Sequence, residues 1–526
     1  MDALKACLKD RKYLDKLVLE WNALDANISE CQISILDNLR PHSNLKSLTI
    51  NNYGGESLPD WVGHHSFSNI ASLRLENCKH CHNLPSLGRL PCLQDLSVLG
   101  FERVVKVDSG LFGSDSSSVK PFRALKILRF GRMFNLEEWS SFGAENEDET
   151  FPQLEELYID NCPKLKGGLP VHLPSLAKFE IHECPQLVAS LPRAPVVREL
   201  QLRDCNEVLL KELPTQLRKL EIGGFDALES FPKGMVAYNN CLQELEISKC
   251  MKLELPTHSH FLSLETLQLD GCDSLKSFPL DLFPKLYHIK IWNCKNLKSL
   301  TVSEQHGRDL VTLHIIDIKD CPNFVSFPKG GIRAPDLSSF TVSRCESLRS
   351  LPEKMHVLLP SLDLFQIVDC PRIESFPEGG LPSNVKYIAV EKCDNLFTKR
   401  VGWGLQKLPS LRQFTVGGNN EDVESFPETG LLPSCQLIKL NISGFPNMKS
   451  LDKKELQHLT SLNKLSVWDC PKLEYIPKEG LPTSLSIIRI NGCPLLKKLW
   501  QSKKGKERRK IPDVNHILID DKEYIG

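Results

Sequence analysis

The sequence predicts an α/β repeat fold, a solenoid built on a parallel β-sheet, and three observations carry that prediction. A pattern Leu-x-x-Leu-x-Ile-x-x-Cys-x-x-Leu recurs along the chain, with clean copies starting at Leu154, Leu242, Leu264 and Leu462. Its interval is roughly 20–27 residues, the period of leucine-rich repeats. The Leu-x-Ile core of each copy alternates with period two, as a strand with one buried face does. Proline closes most copies, as in Ser277-Phe278-Pro279, Ser326-Phe327-Pro328, Ser375-Phe376-Pro377 and Ser425-Phe426-Pro427.

Each element follows from these patterns. One short strand per copy, stacked on the next, gives a parallel sheet with strands about 4.8 Å apart. Proline removes an N–H and keeps its predecessor out of helical geometry, so the returns should be irregular, extended or 3₁₀. Returns bulkier than strands bend such a stack into a horseshoe, with the sheet on the concave side. Apolar spacing over residues 28–39 and 453–459 is compatible with short helices on the convex side. Ser114-Asp115-Ser116-Ser117-Ser118 and the acidic Glu145-Asn146-Glu147-Asp148-Glu149 read as surface loops. The expected division is a leucine-rich-repeat domain of about 20 copies over 1–496, its first copy poorly capped, then a basic tail over 497–526. The tail holds Lys503, Lys504, Lys506, Arg508, Arg509 and Lys510, and Ile517-Leu518-Ile519-Asp520 has the pattern of a closing strand. Fraying is expected over roughly the first forty residues, because the opening copy resembles an internal one without a polar cap.

Composition narrows the function. Lys+Arg number 65 against Asp+Glu 66 in 526 residues, a formal charge of −1. That balance supplies no global field for nucleic acid or an anionic membrane, so neither is expected as a partner. No apolar run reaches the roughly 18 residues of a membrane span, and the first residues lack the apolar core of a secretory signal. Of the nineteen cysteines, thirteen share one place in the repeat: Cys78, Cys162, Cys184, Cys205, Cys250, Cys272, Cys294, Cys321, Cys345, Cys370, Cys393, Cys470 and Cys493. Side chains pointing the same way from parallel strands do not converge as a disulfide requires. The column reads as reduced, buried thiols donating weakly to a neighbouring turn, which suits a reducing cytoplasmic compartment, with the nucleus as a second location offered by the basic tail.

Signatures of chemistry are missing. There is no Gly-x-x-x-x-Gly-Lys-Ser/Thr loop for phosphates, no Gly-x-Ser-x-Gly elbow and no His-Glu-x-x-His pair. Cys78-Lys79-His80-Cys81-His82 matches the spacing of haem attachment and invites zinc, but Cys78 falls on the repeat's cysteine column and no second ligand pair follows at a fixed separation. No catalytic, metal or cofactor residue is therefore expected, and the chain reads as a non-enzyme.

Recognition then falls to the outward side chains of the sheet, at the second, fourth and sixth residues after each first leucine. These positions carry Tyr158 and Asp160; His288, Lys290 and Trp292; Tyr387; Lys464 and Trp468. Their signs are mixed rather than uniformly basic, and exposed Trp and Tyr are the types that anchor protein interfaces. These eight are the candidate partner-binding residues. The plainer reading of the two tryptophans, packing against a neighbouring copy, weighs equally.

Several segments together resemble plant intracellular immune receptors of the nucleotide-binding leucine-rich-repeat (NLR) type, in their coiled-coil class. They are Tyr13-Leu14-Asp15-Lys16-Leu17-Val18-Leu19-Glu20-Trp21, Leu84-Pro85-Ser86-Leu87-Gly88-Arg89-Leu90-Pro91, Leu136-Glu137-Glu138-Trp139, Cys162-Pro163-Lys164-Leu165, Cys470-Pro471-Lys472-Leu473 and Glu378-Gly379-Gly380-Leu381-Pro382. The likeness covers the whole chain but only the repeat part of such receptors; the coiled coil and the nucleotide-binding switch have no counterpart here. It implies repeats that bind a pathogen effector or a guarded host protein and that restrain a nucleotide-binding domain. The alternative from the same physics is a stand-alone adaptor for protein–protein interaction outside immunity.

Overall fold

We describe a computed structural model of the chain over residues 6–22, 29–113, 121–140, 150–231, 241–255, 261–303, 309–477, 480–501, 514, 516–520 and 522–524. The 114–118 and 145–149 loops and the basic cluster 503–510 lie outside the described residues. Two units divide the chain, Met1–Met251 and Lys252–Gly526.

The first unit is a parallel sheet of five-residue strands: β1 Lys16–Glu20, β2 Ser47–Asn51, β3 Ser72–Glu76, β4 Asp95–Leu99, β5 Ile127–Gly131, β6 Glu156–Asp160, β7 Lys178–His182, β8 Glu199–Arg203, β9 Lys219–Gly223 and β10 Glu244–Ser248. Each pairs with the next with no residue offset, so Leu128 stands beside Leu157 and Leu157 beside Phe179. The second unit repeats the plan: β11 Thr266–Asp270, β12 His288–Trp292, β13 Ile315–Lys319, β14 Ser339–Ser343, β15 Leu364–Val368, β16 Tyr387–Glu391, β17 Gln413–Gly417, β18 Lys439–Ser443, β19 Lys464–Trp468, β20 Ile487–Asn491 and β21 His516–Ile519, closed by an antiparallel β22, Lys522–Tyr524. Both units are leucine-rich-repeat solenoids.

Period-two alternation is the reason these segments are strands. Their second and fourth residues, such as Leu267 and Leu269 or Ile316 and Ile318, are at most 2% exposed, and each such side chain stabilises by about 1.5–3 kcal/mol. β1 is the exception. Leu17 and Leu19 are only half-buried and Val18 is 53% exposed, because only β2 pairs with it among the described strands.

The residue after most strands turns left-handed, as at Asn52, Asn77, Gly100, Asn161 and Gly492, but not Trp21 after β1 or Gly418 after β17. Asn, Asp and Gly tolerate that geometry, but Arg132, Glu183, Lys249 and Lys392 occupy it too. Then comes the cysteine column, whose thirteen members are buried. Cys205 donates to the carbonyl of Ile181 on the previous rung at 3.3 Å, the contact expected from sequence. A second acceptor was not foreseen: Cys294 donates to Trp292 and Cys470 to Trp468, each at 3.3 Å, two residues back in the same rung. Asparagines in the following turn bridge rungs, with Asn323 Nδ2 donating to Lys295 O and Asn447 Nδ2 to Glu421 O, both at 2.8 Å.

The returns hold little helix. The helices Ser29–Asn38 and Lys453–His458 fall where apolar spacing places them, the latter capped by Asp452, whose carboxylate accepts from Glu455 N. The Phe-Pro returns are extended as expected: Ser277–Pro279 pairs with Ser299–Thr301, and Ser425–Phe426 with Ser450–Leu451, as narrow ribbons of their own. Aromatic rings stack between rungs behind the sheet. In the second unit Phe327, Phe340 and Phe365 follow one another with centroids 5.4 and 5.9 Å apart; in the first, Phe122 stacks on Phe151 at 5.4 Å.

Candidate functional site

The first, third and fifth residues of each strand point away from this packed layer, and all eight candidate residues occupy such positions. Tyr158 is the centre of β6 and Asp160 its end. Tyr158 Oη donates to Glu156 Oε2 at 2.6 Å, and its ring lies between the Arg129 guanidinium at 5.0 Å and the Lys178 ammonium at 5.3 Å. Burial and the Glu156 carboxylate push its hydroxyl above the ordinary range. Asp160 is exposed beside His182 of β7.

In the second unit β12 presents His288, Lys290 and Trp292 together, each half-buried. The indole of Trp292 takes two ammonium groups, Lys290 at 5.5 Å and Lys319 of β13 at 5.7 Å. Each contact is worth about 0.5–1 kcal/mol at an exposed site. The alternative of Trp292 as packing material therefore holds in part: the ring is braced by its neighbours while its register keeps it on the open face. Partial burial, then Lys290, holds the His288 imidazole below its ordinary range. Burial pushes the Asp317 carboxyl up, against the lowering influence of Trp292, Lys290 and Lys319.

Tyr387 stands four strands from β12, at roughly 19 Å by strand spacing, and Lys464 and Trp468 three strands further on. The candidates thus form separate clusters: Tyr158 with Asp160 in the first unit, and β12, Tyr387 and β19 in the second. Sequence reasoning passed over the stretch between β12 and Tyr387. On β14 and β15 the outward residues are Ser339, Thr341, Ser343, Leu364, Gln366 and Val368, an uncharged strip. Its signal was available as the absence of charge at the even positions of two consecutive copies.

Outward charges of the first unit are mostly compensated. Lys178 pairs with Glu180 at 2.8 Å, Arg129 with Asp95 at 2.6 Å, Lys219 with Glu244 at 3.5 Å, and Arg203 with both Glu221 and Glu246. A recess on the return side, lined by Asp37, Arg40, Asp60, Trp61 and His64, brings together none of the candidates. Cys78 and Cys81 are buried, donating to Glu76 O at 3.7 Å and Gly55 O at 3.2 Å. Among the described residues no group of three or more His, Cys, Asp or Glu side chains is arranged to hold a metal ion.

Known proteins resemble this arrangement throughout. A family model described as R13L1/DRL21 leucine-rich repeats matches residues 1–101. A putative disease resistance protein of Arabidopsis thaliana is 29% identical over 99% of this chain and 50% of its own length. A putative disease resistance RPP13-like protein of the same plant is 27% identical over 67% of this chain and 29% of its own. Disease resistance protein RGA2 of Solanum bulbocastanum is 34% identical over 41% of this chain and 22% of its own. The chain thus spans half or less of the length of these relatives. Among solved structures, a chain of the Drosophila Toll–Spatzle complex matches with a TM-score of 0.50 at 13% identity, over 93% of this chain and 62% of that one; this likeness speaks to the fold alone. Repeat, fold and relatives agree: the chain is a leucine-rich-repeat solenoid similar to the repeat regions of plant disease resistance proteins.

Proposed function

We propose that this plant-defence repeat region is a protein-recognition module whose partner lies on the outward face of the sheet. The partner would be a pathogen effector or a guarded host protein, or a nucleotide-binding switch domain that the repeats restrain. The observation that supports the reading is the division of labour within each strand. From β2 onward the inward positions are apolar and buried, whereas outward positions carry Tyr158, His288, Trp292, Tyr387 and Trp468, chemically varied and half-buried. Such a face contributes little to stability and offers the aromatic anchors on which interfaces depend. Among the described residues no helix is long and apolar enough to cross a membrane, and an intracellular location is part of the proposal. The reading takes residues 1–496 as the recognition region and 497–526 as its appendage.

A two-hybrid screen with the chain as bait tests it. Each interactor is retested against Trp292→Ala/Trp468→Ala and, as a control, against Lys449→Ala/Glu424→Ala, which breaks an exposed ion pair on the returns. Interactors lost with the first pair and kept with the second support the reading. Interactors indifferent to the first and abolished by the second would move recognition to the returns and overturn it.

A further inference from the structure

One part of the second unit's outward face carries charge without compensation. Lys439 opens β18, Lys464 opens β19 directly beside it, and Arg489 is the centre of β20, beside Ser466. At about 4.8 Å between strands the three cations share a patch roughly 10 Å across. None of them makes an ion pair among the described residues. The outward positions of β17 to β20 hold Gln, Thr, Gly, Lys, Asn, Ser, Lys, Ser, Trp, Ile, Arg and Asn in order, with no carboxylate among them. Partial burial, then Arg489 and Lys439, holds the Lys464 ammonium below its ordinary range. Like charges on adjacent strands cost stability, and the fold offers no internal relief for this cost. An external anion would supply it.

The surroundings say what kind of anion. Ser466, fully buried at the centre of the patch, has an Oγ with no hydrogen-bond partner, and its neighbours close over it. Trp468 lies two residues along β19, half-buried and outward. Asn441 Nδ2 donates to Thr415 Oγ1 at 3.0 Å, so polar donors continue toward β17. A nucleic-acid track would need basic side chains repeated along the face at phosphate spacing, but β14, β15 and β17 present no charge at all. A short acidic stretch beside an apolar side chain fits three cations flanked by an indole.

We propose that β18–β20 dock an acidic segment of a protein partner, its carboxylates on Lys439, Lys464 and Arg489 and a neighbouring apolar side chain on Trp468. The inference rests on the recognition reading and narrows it to one chemistry and one end of the second unit.

Fluorescence anisotropy of the full chain tests it with three probes: a labelled Asp/Glu-rich peptide containing one Phe, its Lys-rich charge-reversed counterpart, and a single-stranded oligonucleotide. The acidic peptide should bind, and more weakly as salt rises from about 50 to about 200 mM, where screening shortens. Lys464→Glu/Arg489→Glu should lower its affinity by about tenfold or more and gain binding of the Lys-rich peptide, the sign change expected of complementary charge. Lys439→Ala, at an exposed position, gives a second reading should the double variant melt early, with a several-fold loss expected. No binding of the acidic peptide, equal binding to wild type and both variants, or tighter binding of the oligonucleotide would each overturn the proposal. If the acidic peptide fails while interactors still depend on Trp292 and Trp468, this inference falls alone; if that dependence also fails, the recognition reading falls with it.

Discussion

The left-handed residue that follows most strands gives a stability series with opposite signs. Lys392 follows β16 with φ of 53°. A side chain in this geometry costs about 1–2 kcal/mol because Cβ crowds the following carbonyl. Glycine removes that crowding but adds roughly 0.5–1 kcal/mol of chain entropy to be lost on folding. Lys392→Gly should therefore stabilise by about 0.5–1 kcal/mol. Gly492 after β20 has φ of 64°, and an added Cβ would sit 2.2 Å from Asp469 Oδ1, an atom at the end of a side chain that can turn away. Gly492→Ala should destabilise by about 0.5–1 kcal/mol, the dihedral cost less the chain entropy that glycine no longer adds. Gly168 differs in kind: φ is 86° and the added Cβ would lie 1.6 Å from the Trp139 carbonyl oxygen, which belongs to the backbone of the previous rung. Two main chains would have to separate, so Gly168→Ala should cost upwards of about 3 kcal/mol, at the severe end for single substitutions. Urea titration followed by far-UV circular dichroism reads all three as midpoint shifts at unchanged slope. A destabilised Lys392→Gly together with a neutral Gly168→Ala would refute the reasoning, since both results contradict the same backbone geometry.

Three further outcomes are expected. Leu267 is 1% exposed beside Ile289, so Leu267→Asp should unfold its neighbourhood; a buried carboxyl titrates above its unfolded value of about 3.9, so the penalty should be smallest below that pH and grow as pH rises toward the folded value, while Leu267→Asn shows no such slope in chemical melts. Amide exchange of β1 should be faster than that of β2, because Leu17 and Leu19 are half-buried where Leu48 and Ile50 are fully so; equal protection would contradict the burial difference. Maleimide labelling without denaturant should reach Cys7, Cys92, Cys241 and Cys435, which are exposed, and spare the column; burial pushes the Cys205 thiol up to about 12, so rapid labelling there would show that the rungs open readily.

The strands were legible because a period of two writes inward and outward directly into the order of residues, so Leu157 and Ile159 could be placed on one side and Tyr158 on the other without coordinates. The helices Ser29–Asn38 and Lys453–His458 were legible for the same reason, at a period of 3.6. Contacts between rungs were not, because they depend on which residues of separate copies stand side by side. The bracing of Trp292 by Lys319 and the crowding of Lys439, Lys464 and Arg489 emerge only once the strands are paired. Charged side chains in left-handed geometry, such as Lys249, were also invisible, since residue type argues against that conformation. The return ribbons lay in between: Pro announced an extended chain at Ser277–Pro279 but not its pairing with Ser299–Thr301.

The zero-offset pairing of successive strands has a consequence for how such a chain can change over generations. An insertion or deletion of one residue inside a strand would swap every subsequent inward and outward position of that strand, whereas one confined to a return leaves them in place. Single-base substitutions at the middle residue, Tyr158 or Lys290 or Gln366, alter what is displayed while sparing what holds the layers together. Diversity in such a gene is thus cheap at those alternate codons whose side chains stay open to solvent and ruinous at the codons between.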